Sequence, residues 1–297
     1  MARVQYCEIR LTFPAEALEA VTHLLHKAGT GGVVIDDERA AQVRAYLPRD
    51  ERLSARLAAL RQELSDLVAF FPGMRAWQQQ ESFVDEEDWA NAWRAHFHPL
   101  RFGRRLVVAP TWEPFDPQPG EVVLHLDPGM AFGTGAHAST ALCLRAIEAL
   151  VPEGGHVLDV GTGSGILGVA AVLLGAAQVT ALDVDPLAVR IARQNAEING
   201  VADRIQVHHG ELAELLAQGL EPVPLALANL TRDQLVPLAP FLARALAPGG
   251  TVVASGIVAG GRGAVEAAFT AAGLRPVRTM REEDWFAIWA RRAVPAA

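Results

Sequence analysis

Residues 156–185, HVLDVGTGSGILGVAAVLLGAAQVTALDVD, leave a chain few ways to fold. Val157, Leu158 and Val160 form a short apolar run that stops at a glycine-rich turn, and the turn opens into ILGVAAVLLG, a segment of small and aliphatic helix formers. A second apolar run, residues 179–182, ends on Asp183. Glycines let a backbone approach a ligand closely, and a helix start offers N–H groups that no helical carbonyl uses. An acidic side chain at the next strand tip can grip a ribose diol. Strand, tight turn, helix and acidic strand end together predict a nucleoside-binding half of a doubly wound sheet.

The spacing of the glycines selects among nucleosides. A dinucleotide fingerprint wants G-x-G-x-x-G directly after the strand, but counting from Gly161 the position of the third glycine holds Ile166. Gly163, Gly165 and Gly168 do fit that spacing, displaced from the strand end. The frame adjoining the strand runs Asp159-Val160-Gly161-Thr162-Gly163-Ser164-Gly165. A carboxylate at Asp159 would repel a pyrophosphate and suits a ligand with a cationic amino-acid end, such as S-adenosylmethionine. Glycine-rich turns also follow strands in doubly wound proteins that bind nothing. The two acidic positions, Asp159 and Asp183, argue for a ligand here.

A chain of 297 residues suits two domains, and 51% hydrophobic with 20% charged residues is the balance of a soluble globular protein. The net charge of -8 lacks the basic footprint of a nucleic-acid binder, so no direct DNA binding is expected and a basic protein or peptide is the easier partner. Cys7 and Cys143 make neither a disulfide framework nor a zinc pattern, and His96 and His98 stand without ligand partners, so no metal site is expected. The N-terminus alternates polar and apolar residues and does not read as a signal peptide. No apolar run approaches the ~20 residues of a membrane span. The expected location is the cytoplasm, with no membrane association.

Residues 1–83 follow the order βαββαβ, which predicts a smaller N-terminal α+β ferredoxin-like domain whose job is recognition or support. Residues 84–100 are expected to be a linker helix with Trp89, Trp93 and Phe97 on one face. From 101 to 297, strands alternate with helices and a terminal antiparallel pair closes the chain, which predicts a mostly parallel sheet. Two strands, 106–111 and 122–126, flank the turn PFDPQPG. They lead into a second informative stretch, residues 127–140, DPGMAFGTGAHAST. A loop of this composition ahead of the glycine-rich strand is expected near the ligand-binding edge, although Met130, Phe132 and His137 could equally fill a seam between domains.

Asp159-Val160-Gly161-Thr162-Gly163-Ser164-Gly165 with Asp183 is similar to the signature of class I S-adenosylmethionine-dependent methyltransferases. The segments DEEDWANAWRAHFHP, DPGMAFGTGAHAST, VLDVGTGSGIL, ALDVDP and ANL, in that order, resemble the bacterial ribosomal protein L11 methyltransferase family. One departure is visible: Ser139 stands where the family has the first of two threonines, and keeps the hydroxyl. The resemblance implies a Rossmann-like α/β methyltransferase domain with S-adenosyl-L-methionine as cofactor. It also implies that Thr140, Gly161, Asp183 and Asn229 lie at the cofactor. Gly163, Gly165 and Phe132 join them as candidate cofactor-binding residues. The implied substrate is a large-subunit ribosomal protein, methylated on lysine side chains and its own α-amino group and held by the N-terminal domain.

Methyl transfer from a sulfonium is an in-line displacement, so the enzyme has to align two reactants and present a neutral amine. A free lysine has a pKa near ~10.4, and a carboxylate beside it would favour the ammonium. Asn229 and the backbone carbonyl of Leu230 offer neutral acceptors and are the candidate catalytic groups. The competing reading of Asn229 is a cap for the next helix. His137 is a candidate wall of the site and a base the reaction does not require. Three alternatives stay open on sequence: an rRNA methyltransferase, an NAD(P)-dependent oxidoreductase using the displaced glycines, and a binding module without turnover.

Overall fold

The computed structural model describes residues 5–30, 33–37, 42–85, 98–126 and 137–294, and the chain divides into two compact units, residues 1–97 and 98–297. The expected aromatic face of Trp89, Trp93 and Phe97, and most of the loop from 127, lie outside the described residues.

In the first unit β1 (Gln5–Thr12), α1 (Leu18–Lys27), β2 (Val33–Asp37), β3 (Gln42–Pro48), α2 (Leu53–Asp66) and β4 (Gln78–Asp85) follow one another. The strands pair antiparallel in the order β2-β3-β1-β4, a ferredoxin-like arrangement. Alternate residues Cys7, Ile9 and Leu11 meet Val43, Ala45 and Leu47, and Leu53, Leu57, Leu60 and Leu64 of α2 close over them. Period two on the strands and period three to four on the helix place these apolar side chains in one core. Pro14 starts a short 3-10 turn, Ala15–Ala17, so the α-helix begins only at Leu18.

The second unit carries a seven-stranded sheet. Its strands are β8 (His156–Val160), β9 (Gln178–Asp183), β10 (Ile205–His209), β11 (Val223–Asn229), β12 (Leu246–Val258), β13 (Leu274–Glu282) and β14 (Trp285–Arg292). Their order is β10-β9-β8-β11-β12-β14-β13; β8 to β12 pair in parallel, and β14 runs antiparallel between β12 and β13. Helices α3 (Ala138–Leu150), α4 (Ile166–Leu173), α5 (Pro186–Ile198), α6 (Leu212–Ala217), α7 (Arg232–Ala245) and α8 (Arg262–Ala271) cover it. Val157 packs into the core beneath α3, α4 and α5, while Leu158 and Val160 pack into the one beneath α6, α7 and α8. Both faces of β8 are therefore buried, which is why apolar residues stand at the consecutive positions Val157 and Leu158 instead of alternating. From β8 the chain winds outward to β9 on one side and returns to β11 on the other. The reversal opens a crevice beyond the carboxyl ends of β8 and β11, where doubly wound sheets bind ligands.

A separate small sheet was only half legible. The strands flanking PFDPQPG exist as β6 (Leu106–Pro110) and β7 (Val122–Leu126), but they pair in parallel, and a third strand, β5 (Leu100–Phe102), lies antiparallel to β6. Three residues are too few to show a period, so β5 carries no sequence signal. Side chains tie this sheet to the helices of the same unit. The Glu148 carboxylate on α3 accepts from the N–H groups of Arg104 and Arg105 at 2.7 and 2.6 Å. The Asn199 amide after α5 pairs with the N–H and carbonyl of His125 at 2.8 and 2.6 Å. Two further departures are local. The turn expected at 248–250 lies inside β12, where the pairing of β11 shifts between Val223 and Leu225 to absorb it. Helix α6 was not expected; it is short and held by a reciprocal cap between Glu211 and Glu214. Among the described residues no helix is long and apolar enough to cross a membrane.

Candidate functional site

Strand β8 delivers Gly161 to the crevice, and the glycine turn is stitched to the tip of β9. The N–H groups of Gly161 and Thr162 donate to the Leu182 carbonyl at 2.9 and 3.0 Å, and Gly163 N–H donates to Asp183 Oδ2 at 2.9 Å. Gly161, Gly163 and Gly165 have φ of +69°, +55° and +81°, a region that side chains strain. A Cβ on Gly161 would stand 2.5 Å from Leu230 Cδ2, so this glycine opens the space beside the tip of β11. A Cβ on Gly165 would stand 2.9 Å from Ala192 Cα. Gly165 thus serves the close packing of α4 on α5, and it is not among the residues lining the cavity described below. It was expected at a cofactor, and what the structure shows of it is a contact between helices.

Asp159 also differs from expectation. It is wholly buried, and its Oδ2 accepts from Thr162 Oγ1 at 2.6 Å and from Gly168 N–H at 3.1 Å. It staples the turn from behind and does not line the cavity where a cationic ligand end would lie. Its Oδ1 has no hydrogen-bond partner among the described residues. Burial, the dominant cause, together with the charge of Asp183 pushes its pKa up from 3.8 to about 6, although the two hydrogen bonds pull the other way. The folded state therefore holds this proton more tightly than the unfolded chain, and the group's contribution to stability falls as pH rises from 3.8 to about 6. At about 1.4 kcal/mol per pH unit the loss is roughly 3 kcal/mol. Asp159→Asn keeps one accepting oxygen and removes the ionisation. The melting temperature of the variant minus that of the wild type is expected to climb between pH 4 and pH 6.5, by about 5 °C or more, and then level off. A difference that is flat with pH would show that Asp159 does not titrate in this window.

The crevice encloses a cavity of about 690 Å³ lined by Thr140, Gly161, Gly163, Asp183, Asn229 and Leu230, among others. The strand register explains the grouping: Val160 pairs with Leu182 and with Ala228, so the chain leaves β8, β9 and β11 side by side. Asp183 Oδ1 accepts from Asp185 N–H at 3.0 Å, which fixes the carboxylate at both ends. Beside it Val184 is 64% exposed, an aliphatic side chain held open at the cavity edge. Leu212, Pro237, Leu238 and Phe241 from α6 and α7 supply an apolar wall. Asn229 does not cap α7; that role falls to Thr231, paired reciprocally with Gln234. The Asn229 amide instead donates from Nδ2 to Thr140 Oγ1 at 3.2 Å. Phe132 lies outside the described residues.

His137 is the N-cap of α3. Its Nδ1 accepts from Ser139 N–H at 3.3 Å and lies 2.7 Å from Ser139 Oγ, so the ring proton belongs on Nε2. Burial lowers its pKa, and the ring is neutral at physiological pH. It meets the Trp285 ring edge-on at 4.5 Å between centroids, and both line the cavity. The geometry suits a wall better than a base.

Three residues of the site escaped sequence reading. Trp285 opens β14, and only the strand pairing carries it to the crevice. Gly256, with φ of +82°, lies so close to Leu230 that a Cβ there would stand 2.6 Å from the Leu230 carbonyl oxygen. Asn195, 2% exposed, donates from Nδ2 to the Ser164 carbonyl at 2.7 Å and pins the glycine turn to α5. Its signal was present: a polar side chain at helical spacing from Ala188, Ala192 and Ala196, all buried.

The sheet order, with one antiparallel strand inserted next to the edge, and the crevice shared by a glycine turn, an acidic strand tip and an asparagine-bearing strand tip define a Rossmann-like class I methyltransferase domain. The family described as Ribosomal protein L11 methyltransferase (PrmA) matches residues 5–293. A ribosomal protein L11 methyltransferase of Pelotomaculum thermopropionicum is 43% identical over 97% of this chain and 99% of its own length. One from Bacillus cytotoxicus is 37% identical over 98% of this chain and 100% of its own. The crystal structure of the ribosomal protein L11 methylase from Lactobacillus delbrueckii subsp. bulgaricus superimposes with a TM-score of 0.61 at 33% identity, over 66% of this chain and 100% of that one. The chain belongs to the ribosomal protein L11 methyltransferase family.

Proposed function

We propose that this protein transfers methyl groups from S-adenosylmethionine to amino nitrogens of ribosomal protein L11, on lysine side chains and on the α-amino group. The observation that carries this reading is the pairing of a carboxylate, Asp183, with a neutral amide, Asn229, at strand tips of one cavity. The cavity residues fit the cofactor chemically. Asp183 can accept hydrogen bonds from a ribose diol, Val184 and Leu212 offer apolar surface to a purine, and the glycine turn leaves room for backbone approach. When bound, S-adenosylmethionine supplies a methyl group already activated by its sulfonium.

The chain's own residues then orient the acceptor. Asn229 Oδ1 and the Leu230 carbonyl accept N–H bonds from the amine and turn its lone pair toward the methyl. Both are uncharged, so they do not stabilise the ammonium form that a carboxylate would hold. The neutral His137 adds no charge to the wall. The N-terminal unit is the proposed holder of the protein substrate, and the net charge of -8 favours a basic protein over RNA.

The test is incubation with labelled S-adenosylmethionine and with free L11 or ribosomes that lack the modification, followed by intact-mass analysis. Mass gains in multiples of one methyl on L11 are expected. Label that disappears with RNase makes it an rRNA enzyme. Calorimetric binding of NAD(P) in place of S-adenosylmethionine makes it an oxidoreductase.

A further inference from the structure

We propose that the outer edge of β4 is a docking site for an extended, lysine-bearing segment of the protein substrate, which adds to the sheet of the first unit as a fifth strand. The inference rests on the reading of this chain as a methyltransferase whose N-terminal unit holds a protein substrate, and it deepens that reading.

β4 ends the order β2-β3-β1-β4, so only one of its sides is paired. In an antiparallel strand each residue turns its N–H and C=O to the same side, and successive residues alternate sides. Every second residue of β4 therefore presents both groups outward, where no strand of the sheet receives them. The strand is long and regular: all of Gln78–Asp85 pairs with β1, from Thr12 opposite Gln78 to Gln5 opposite Asp85, without a shift. It is also open. Gln80, Glu81 and Ser82 are exposed, and Phe83 is 56% exposed.

An edge of this kind is a template for another strand, and proteins commonly blunt it with a proline, a bulge or basic charge. The other long edge of this molecule is blunted in all three ways. β13 contains Pro276, its pairing with β14 shifts between Pro276 and Arg278, and Arg275, Arg278 and Arg281 are exposed along it. From Gln78 to Val84 there is no proline, lysine or arginine. Glu81 is held by Arg61 of α2, which leaves the backbone edge beside it uncovered.

Charge selects the occupant. The stretch from Gln78 to Asp88, QQQESFVDEED, holds the acids Glu81, Asp85, Glu86, Glu87 and Asp88 and no basic residue. A segment carrying lysines is attracted along it, and the exposed Phe83 ring offers apolar surface to a lysine stem. A second copy of this chain, paired along the whole strand about a two-fold axis, would bring both Glu81 side chains to the centre of the pairing, and like charges across a strand pair are destabilising. Strand addition also suits an enzyme proposed to modify more than one nitrogen. It grips main chain, which every segment possesses, and leaves only the selection of side chains to the flanking surface.

The test follows amide hydrogen exchange in the full-length protein, alone and saturated with purified unmodified L11. The outward amides of 78–84 are expected to slow at least about tenfold on saturation, with β13 unchanged. Saturating L11 without slowing in 78–84 overturns the proposal and leaves the functional reading standing. Absence of any L11 binding by calorimetry removes the functional reading and the proposal with it. Slowing in the enzyme alone that grows with its own concentration assigns the edge to a second copy and also overturns the proposal.

A pair of variants supplies a second readout. Neighbouring residues of a strand point their N–H groups to opposite sides, so of Gln79→Pro and Gln80→Pro one breaks a bond to β1 and the other removes only an outward N–H. The variant that keeps the wild-type melting temperature is expected to raise KM for L11 at least about tenfold, with affinity for S-adenosylmethionine within about threefold of wild type. A folded variant with wild-type KM overturns the proposal. If neither variant folds, the exchange measurement on the wild type decides.

Discussion

Asp183→Ala is expected to lose most of its affinity for S-adenosylmethionine while remaining folded. The carboxylate stands at the tip of β9 with one oxygen on Gly163 N–H and the other on Asp185 N–H, and each oxygen keeps a lone pair for a ribose hydroxyl. A hydrogen bond to a charged group contributes about 1.5–3 kcal/mol, so removing the acceptor of two predicts a dissociation constant raised by roughly 10² to 10⁴. The turn also loses its stitch at Gly163, which adds to the loss. The bonds of Gly161 and Thr162 to the Leu182 carbonyl remain, so the fold should survive with a melting temperature within a few degrees. Asp183→Asn, which turns one acceptor into a donor, is expected to fall between the two. Titration calorimetry with S-adenosylmethionine and with its demethylated product checks this, and unchanged affinity in the Ala variant would place the cofactor elsewhere.

Gly256→Ala is expected to cost at least about a hundredfold in methyl transfer with a smaller effect on cofactor binding. The added Cβ would stand 2.6 Å from the oxygen, 2.9 Å from the carbon and 3.1 Å from the nitrogen of Leu230, and these are backbone atoms that cannot swing aside like a side chain. The φ of +82° adds strain of about 1–3 kcal/mol for any residue with a Cβ. Relief requires the Leu230 peptide to move, and the Leu230 carbonyl is one of the two proposed acceptors for the amine. A displacement near 1 Å at a reacting centre costs about 10² in rate. Gly263→Ala is the control: it sits in α8 with nothing within 4 Å of its added Cβ, and is expected to stabilise the helix by about 0.5–1 kcal/mol without changing the rate. Wild-type turnover in Gly256→Ala would remove the Leu230 carbonyl from the mechanism.

The residues behind these predictions mark how far local sequence order reaches and where it stops. Asp183 was legible because its position follows from local order: an apolar strand after a glycine turn and helix ends on an acid. The same local logic does not reach the direction in which Asp159 and Gly165 face. Both lie in the motif, yet one turns its carboxylate inward to Thr162 and Gly168 and the other faces Ala192 of α5. A motif names the residues of a turn but does not say which way each one points. Gly256 and Trp285 carried no local signal, since their importance comes from elements distant in sequence, the end of β11 for one and the start of α3 for the other.

The sequence alone determined the alternation of strands and helices and the glycine turn that follows β8, because each depends on residues within a few positions of one another. Only the tertiary structure decided that Asn229 bonds to Thr140 and leaves the capping of α7 to Thr231, that Leu230 is set by Gly256, and that Trp285 closes on His137. The physical reason is the sheet. Parallel pairing brings the ends of β8, β9, β11 and β12 to one edge, and hydrogen bonds and close contacts between those ends depend on a register that no single stretch of the chain encodes.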